Sequence, residues 1–241
     1  MKIDIMGVQF DNTTMGEAVA RAMAIMEGDA PAYFVTPNPE FVYEAMHDAS
    51  FCALLNGADR VLPDGVGILL GGKLLGTPLK EKISGVDFAS NLLGAMARGG
   101  KRLYLLGSKP GVAELAAENM RKDHPDLIIC GMADGYFKEE GPVVEAIHAA
   151  NPDALFVCLG SPKQEKFIKN HMNELGARFF VGLGGSLDAF AGTFKRAPAW
   201  IVKIGMEWFY RLCKEPKRFK RMLRLPKFVF AVLGRRIRGA K

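Results

Sequence analysis

The chain has 241 residues and a formal charge of +6, from 32 Lys and Arg against 26 Asp and Glu. Its 49% hydrophobic and 24% charged residues are ordinary for a globular protein and exclude wholesale disorder. The charge is unevenly placed: residues 195–241 hold 15 basic side chains against two acids, or +13, which leaves −7 on residues 1–194. We therefore predict a core of residues 1–194 and a basic appendage of residues 195–241 that meets an anionic partner.

Targeting and metal-binding signals are missing from the sequence. The four cysteines lie far apart and no signal-peptide pattern opens the chain, so a reducing, cytoplasmic compartment is expected. No stretch reaches the ~18 apolar residues of a membrane-spanning helix. The histidines form no HxH or HExxH pair, and the acid pair DxD that holds a divalent ion in many sugar-nucleotide enzymes is absent. We predict neither a metal nor a cofactor.

Short apolar runs alternate along the chain with segments of helical length. The predicted strands are residues 32–36, 102–107, 127–131, 154–160 and 178–182, with a shorter one at 60–62. The predicted helices are residues 14–26, which Asn12 can cap, and 39–47, 112–122, 142–150 and 163–175. This alternation predicts an α/β fold, a Rossmann-like and mostly parallel sheet covered by helices on both faces.

The predicted strands end in glycine or polar residues. In an open parallel sheet all these ends lie at one edge, where ligands bind, and glycines there let backbone N–H groups approach a phosphate. Six such ends predict a site of nucleotide size. Each turn taken alone is explained equally well by the ordinary need of strand-to-helix turns for Gly, Ser and Asn.

Asp64 follows the short strand and precedes Gly65, and the sequence allows two interpretations of it. A carboxylate at the sheet edge can act as a general base, but Asp is also a good N-cap for a helix that starts nearby. The following glycines at 65, 67, 71 and 72 resemble a dinucleotide-binding loop, although their spacing is GxGxxxG. An NAD(P)-dependent oxidoreductase is therefore the alternative class.

The basic appendage combines aromatic and cationic residues. Trp200, Ile204, Trp208 and Leu212 share one helical face, and an apolar stretch at 225–234 lies between basic clusters. This pattern favours an interfacial membrane segment, in which we expect contacts from Trp208, Phe228, Phe230, Arg235, Arg236 and Arg238. The alternative is an amphipathic helix packed on the core or on a second subunit of a homo-oligomer. Nucleic-acid binding is disfavoured because the core is acidic and carries no such motif.

Several motifs occur in one order along nearly the whole chain: Thr36 to Glu40 (TPNPE), Pro63 to Gly67 (PDGVG), Gly160 to Glu165 (GSPKQE), Gly182 to Asp188 and the segment from Arg196 to Arg218. Together they resemble the WecG/TagA/CpsF glycosyltransferases. The resemblance implies metal-independent, inverting transfer of a sugar from a UDP donor to GlcNAc on undecaprenyl diphosphate, at the inner face of the cell membrane. One branch transfers N-acetylmannosamine in wall teichoic acid synthesis, and others use N-acetylmannosaminuronic acid or glucose.

The resemblance also implies roles for individual residues. Asp64 corresponds to the general base, with Thr36, Asn38 and Gln164 as polar neighbours in the catalytic pocket. The implied UDP contacts are Gly107, Gly135, Tyr136 and Asp188. Arg211, Arg218 and Arg221 correspond to arginines that approach the diphosphates, where a cation can take the place of a metal. Lys82 stands where the family usually has Arg, and a lysine keeps the charge but not the bidentate geometry.

Overall fold

The computed structural model describes residues 1–193, 197–198, 201, 206–214 and 223–239. An antiparallel hairpin of β1 (Lys2–Ile5) and β2 (Val8–Asp11) opens the chain. Six parallel strands follow in the spatial order β4-β3-β8-β7-β5-β6, namely β3 (Ala32–Val35), β4 (Arg60–Val61), β5 (Arg102–Gly107), β6 (Ile128–Ala133), β7 (Ala154–Cys158) and β8 (Phe179–Gly182). The predicted α/β fold is thus confirmed.

Helices cover both faces of the six-stranded sheet. They are α1 (Met15–Met26), α2 (Pro39–Ala45), α3 (Ala49–Asn56), α4 (Val66–Leu74), α5 (Gly85–Arg98), α6 (Val112–Asp123), α7 (Gly141–Ala150), α8 (Lys163–His171) and α9 (Ser186–Phe190). Two more follow: Glu207–Lys214, and Arg224–Gly239, which we call the tail helix. No helix in the described ranges is long and apolar enough to cross a membrane.

The central strands β3, β7 and β8 are apolar along their length and have both faces buried. In β3, Phe34 points into the cluster beneath α1, α5, α6 and α9. Its neighbours Tyr33 and Val35 point into the opposite cluster, which α2, α3, α4, α7, α8, the hairpin and the tail helix cover. Alternating side chains of one strand therefore fill two separate cores, as expected for a sheet between two helical layers.

Local signals placed most elements within a few residues. The cap of α1 is Thr14 and not Asn12, because Thr14 and Glu17 form a reciprocal capping box that is available only from that position. The hairpin, α3 and α5 were not among the predicted elements. In the hairpin, Ile3, Ile5, Val8 and Phe10 are buried against the second core, so its stability comes from tertiary packing.

The tail helix packs on α2 and α4. Phe228 is fully buried, and its Cζ lies 3.1 Å from the position that a Cβ would take on Gly71. At the other end, Arg224 Nη1 is 2.7 Å from Glu44 Oε2 of α2. The prediction that Phe228 contacts a membrane is therefore wrong: its ring belongs to the core, because Gly71 of α4 leaves room for it.

Candidate functional site

The carboxyl ends of the parallel strands bring Asp64 next to Thr36. Leu62 N–H donates to the Val35 carbonyl at 2.8 Å, and Asp64 N–H donates to the Pro37 carbonyl at 3.3 Å, so the loops after β4 and β3 run side by side. Asp64 and Thr36 are both half-buried. The two predicted residues therefore lie at one end of the sheet edge.

The start of α5 forms a third side of this end of the site. Ile83 N–H donates to the Pro63 carbonyl at 2.8 Å, directly before Asp64. Gly85 begins α5 so close to Thr36 that a Cβ on it would stand 3.1 Å from the threonine Oγ1. Lys82, also half-buried, lies in this connecting segment. Lys82 was the one residue of this segment that the sequence analysis placed in the site. The close approach of Gly85 to Thr36 was not indicated by the neighbouring sequence.

Asn38 has a structural role that its position before Pro39 makes possible. Its Oδ1 accepts hydrogen bonds from the N–H groups of Glu40 at 2.9 Å and Phe41 at 3.2 Å, so it is the N-cap of α2. The amide oxygen is therefore used in hydrogen bonds to the helix, and the NH₂ group is the part of the side chain that could bind a ligand. The cap of α4 is Gly65, at φ +87°, and not Asp64.

The glycines that suggested a dinucleotide loop are packing residues. A Cβ on Gly67 would lie 2.6 Å from Pro39 Cγ and 3.2 Å from Leu225 Cδ1, and one on Gly71 would meet Phe228. These glycines admit α2 and the tail helix to the surface of α4, which leaves no space there for a phosphate. The geometry does not favour the oxidoreductase alternative.

Gly107, Gly135 and Asp188 converge at the other end of the edge. Gly107 has φ +127°, and a Cβ on it would stand 2.4 Å from the Cys158 carbonyl oxygen, so only glycine fits. The adjacent Ser108 links the other two residues: its carbonyl accepts from Gly135 N–H at 2.8 Å, and its Oγ donates to Asp188 Oδ2 at 2.9 Å. Ser108, itself at φ +63°, was not among the predicted site residues.

The side chains around this end differ in their access to solvent. Tyr136 follows Gly135 and is 68% exposed, which makes its ring available for stacking. Burial raises the pKa of the Cys158 thiol to about 12, so that this cysteine is protonated at neutral pH and offers no nucleophile. Within the described ranges, no three His, Cys, Asp or Glu side chains form a cluster that could hold a metal ion.

Gln164 lies beneath the site. It is 2% exposed, its Oε1 accepts from Gly184 N–H at 2.9 Å, and its Nε2 donates to Glu165 Oε1 at 2.7 Å. This differs from the predicted direct contact with a substrate, because the amide is held under the Gly182–Gly185 turn and shapes it. Arg218, Arg221 and the side chain of Arg211 lie outside the described residues.

These features define the chain as an α/β protein with a candidate ligand site at the carboxyl edge of a parallel sheet, where Asp64 lies at one end and Gly107, Gly135 and Asp188 at the other. The profile of the glycosyl transferase WecG/TagA/CpsF family matches residues 3–241. The chain belongs to this family and is a glycosyltransferase.

Curated relatives of the chain carry one name, N-acetylglucosaminyldiphosphoundecaprenol N-acetyl-beta-D-mannosaminyltransferase. The protein from Bacillus spizizenii is 41% identical over 210 residues, which cover 87% of this chain and 82% of the relative. The protein from Bacillus subtilis is 39% identical over 84% of this chain and 79% of its own length. The protein from Staphylococcus aureus strain MRSA252 is 33% identical over 100% of this chain and 96% of the relative.

Proposed function

We propose that this glycosyltransferase moves N-acetylmannosamine from a UDP donor to the GlcNAc of undecaprenyl-diphosphate-GlcNAc. The shared name of the relatives, which align over most or all of the chain, supports this acceptor and this sugar. N-acetylmannosaminuronic acid and glucose are the alternative donor sugars. The observation on which the proposal most depends is the position of Asp64, fixed by backbone hydrogen bonds beside Thr36 and the start of α5.

Asp64 acts as the general base of the reaction. Its carboxylate takes the proton from the acceptor hydroxyl as that oxygen attacks the anomeric carbon of the donor sugar and UDP departs from the opposite side. One bond to the anomeric carbon forms while another breaks, so the configuration inverts. Thr36 lies in the loop that runs beside the Asp64 loop, and the NH₂ group of Asn38 is oriented by the cap of α2, so both are suited to position the acceptor or the donor sugar.

The start of the tail helix lies close to the loop that carries Asp64. Leu225 Cδ1 lies 3.2 Å from a Cβ position on Gly67, and Gly67 is three residues after Asp64. Arg221 precedes the tail helix by three residues in the sequence. We infer that Arg221, with Arg211 and Arg218, stabilises the negative charge that develops on the departing diphosphate.

The opposite end of the edge binds the nucleotide. Gly107 and Gly135 have no side chains to keep a ligand from the backbone, Asp188 supplies a carboxylate held by Ser108, and the exposed ring of Tyr136 can stack on a base. Lys82 contributes a positive charge near the Asp64 end.

The described part of the tail carries the proposed membrane contacts. Phe230 is 72% exposed, and Arg236 and Arg238 are exposed at the last turns of the tail helix. Arg235 is partly engaged by the core, with its Nη1 2.9 Å from Asp4 Oδ1, and Trp208 is half-buried. Apolar and cationic groups together suit the anionic inner leaflet of the cell membrane, on which the protein would act as a peripheral enzyme.

The test of the proposal is transfer from UDP-N-acetylmannosamine to a lipid-linked GlcNAc diphosphate, with Asp64→Asn as the decisive variant. We expect a loss of about 10²–10⁴-fold in kcat, the usual contribution of a general base, with UDP affinity by calorimetry near the wild-type value. Asp59→Asn is the matched control, because Asp59 lies at the other end of β4 and pairs with Arg21. Wild-type turnover in Asp64→Asn would refute the assignment of Asp64 as the base. Faster turnover with UDP-glucose than with UDP-N-acetylmannosamine would refute the proposed donor.

A further inference from the structure

Glu165 is a buried acid that the mechanism above does not use. It lies in the first turn of α8 and is 1% exposed, so it cannot touch a substrate. Burying a carboxyl group is costly, and such groups are retained where a hydrogen bond compensates. Burial raises the pKa of this carboxyl, while the hydrogen bond from the Gln164 amide lowers it in part.

Of the groups that offset the burial of Glu165, the Gln164 amide contributes most, ahead of the Glu165 backbone and the Ser161 hydroxyl. Gln164 Nε2 donates to Glu165 Oε1 at 2.7 Å, while Gln164 Oε1 accepts from Gly184 N–H at 2.9 Å. An amide has two orientations that exchange its oxygen and nitrogen. With an acceptor on one side and an N–H donor on the other, only one of them satisfies both neighbours.

The turn held by Gln164 connects the two ends of the site. It follows β8, which lies between β3 and β7 in the sheet. On one side, Leu183 Cδ2 is 3.5 Å from a Cβ position on Gly85, which in turn contacts Thr36. On the other side, the turn leads into α9, whose Asp188 accepts from Ser108. A displacement of this turn would therefore move groups next to both the base and the nucleotide pocket.

Gly182 shows how closely the amide is fitted. A Cβ at this position would stand 2.6 Å from Gln164 Nε2, so the absence of a side chain is what lets the amide lie against the end of β8. The second carboxyl oxygen of Glu165 and the hydroxyl of Ser161 are both buried, and neither makes a hydrogen bond of good geometry among the described residues, although the Ser161 hydroxyl is close enough to lower the pKa of the carboxyl. The well-formed side-chain hydrogen bond of Glu165 is the one to Gln164.

We propose that Glu165 is a positioning residue for glycosyl transfer: it fixes the orientation of the Gln164 amide and, through it, the Gly182–Gly185 turn. This inference rests on the proposed function for its kinetic consequence but not for its structural one. The two are tested separately, by turnover and by hydrogen exchange of the Gly184 amide.

The experiment compares three substitutions of Glu165. Glu165→Gln keeps an acceptor oxygen at the same reach, Glu165→Met removes the acceptor at similar volume, and Glu165→Asp keeps the charge but withdraws it by one methylene. We expect kcat to fall about tenfold or more in the Met and Asp variants and to be largely restored by Gln. Exchange of the Gly184 amide should be faster in the Met and Asp variants and close to wild type in the Gln variant.

Coupling with Gln164 separates positioning from simple destabilisation. If Glu165 acts through Gln164, the double variant Glu165→Met/Gln164→Met is no slower than Gln164→Met alone, whereas independent effects multiply. Multiplied losses, or wild-type kcat and Gly184 protection in Glu165→Asp, would overturn the proposal. If Glu165→Met does not fold, the Asp and Gln variants decide the result. If wild-type protein lacks transfer, the proposed function fails while the exchange data still test the positioning.

Discussion

The docking of the tail helix can be tested with one substitution, Phe228→Ala. Phe228 is fully buried against Gly71 of α4, and its truncation removes a whole aromatic side chain from the core. Such truncations cost about 3–5 kcal/mol. Since 1.4 kcal/mol is a factor of ten, the lower figure raises the undocked fraction of the tail helix by roughly two powers of ten. Because the docked helix contacts Gly67, three residues after Asp64, turnover should fall when it undocks.

Limited trypsin digestion measures this undocking directly, because Lys227 and Arg235 are cleaved faster in an undocked helix. Phe230→Ala is the matched control: the same change two residues later, at a side chain that is 72% exposed, leaves the core intact. We expect cleavage and turnover of a detergent-solubilised acceptor to change in the first variant and not in the second. Equal cleavage rates in the two variants would refute the assignment of Phe228 to the core.

Two further predictions concern stability. Gly107→Ala should lower the free energy of unfolding by about 2–4 kcal/mol in urea titrations, because it combines a positive φ with a clash against Cys158; Gly16→Ala, where a Cβ meets nothing within 4 Å, should not destabilise, and equal effects would contradict this reasoning. Burial raises the pKa of Glu165, so its contribution to stability is full below the unfolded pKa and is lost as the pH rises towards and through the folded pKa. The unfolding free energy of wild type relative to Glu165→Gln should therefore decrease as the pH rises above about 4, the ordinary pKa of a glutamate, and a constant difference would argue against a buried acid.

The predicted sheet was largely correct because a strand buried on both faces carries its own signal. The runs at 102–107 and 154–160 are apolar after Arg102, and each ends in a glycine that marks the end of the strand. The carboxyl ends of parallel strands must share one edge, so the grouping of Asp64 with Thr36, and of Gly107 with Gly135, follows from topology as soon as the strands are assigned. The hairpin escaped prediction because its four-residue strands are stabilised by contacts with distant helices.

The sequence alone determined the α/β class, the edge at which the predicted site residues meet and the uneven charge of residues 1–194 and 195–241, because apolar runs, turn residues and charges are properties of neighbouring residues. Only the tertiary structure decided what each apolar face meets. Phe228 and Phe230 have the same side chain and nearly the same neighbours, yet one fills the space above Gly71 and the other faces solvent. The role of the Gln164 amide was also decided by the tertiary structure, through its hydrogen bonds to Gly184 and Glu165. Gly184 is 20 residues away in the sequence, so the residues around Gln164 do not indicate this contact.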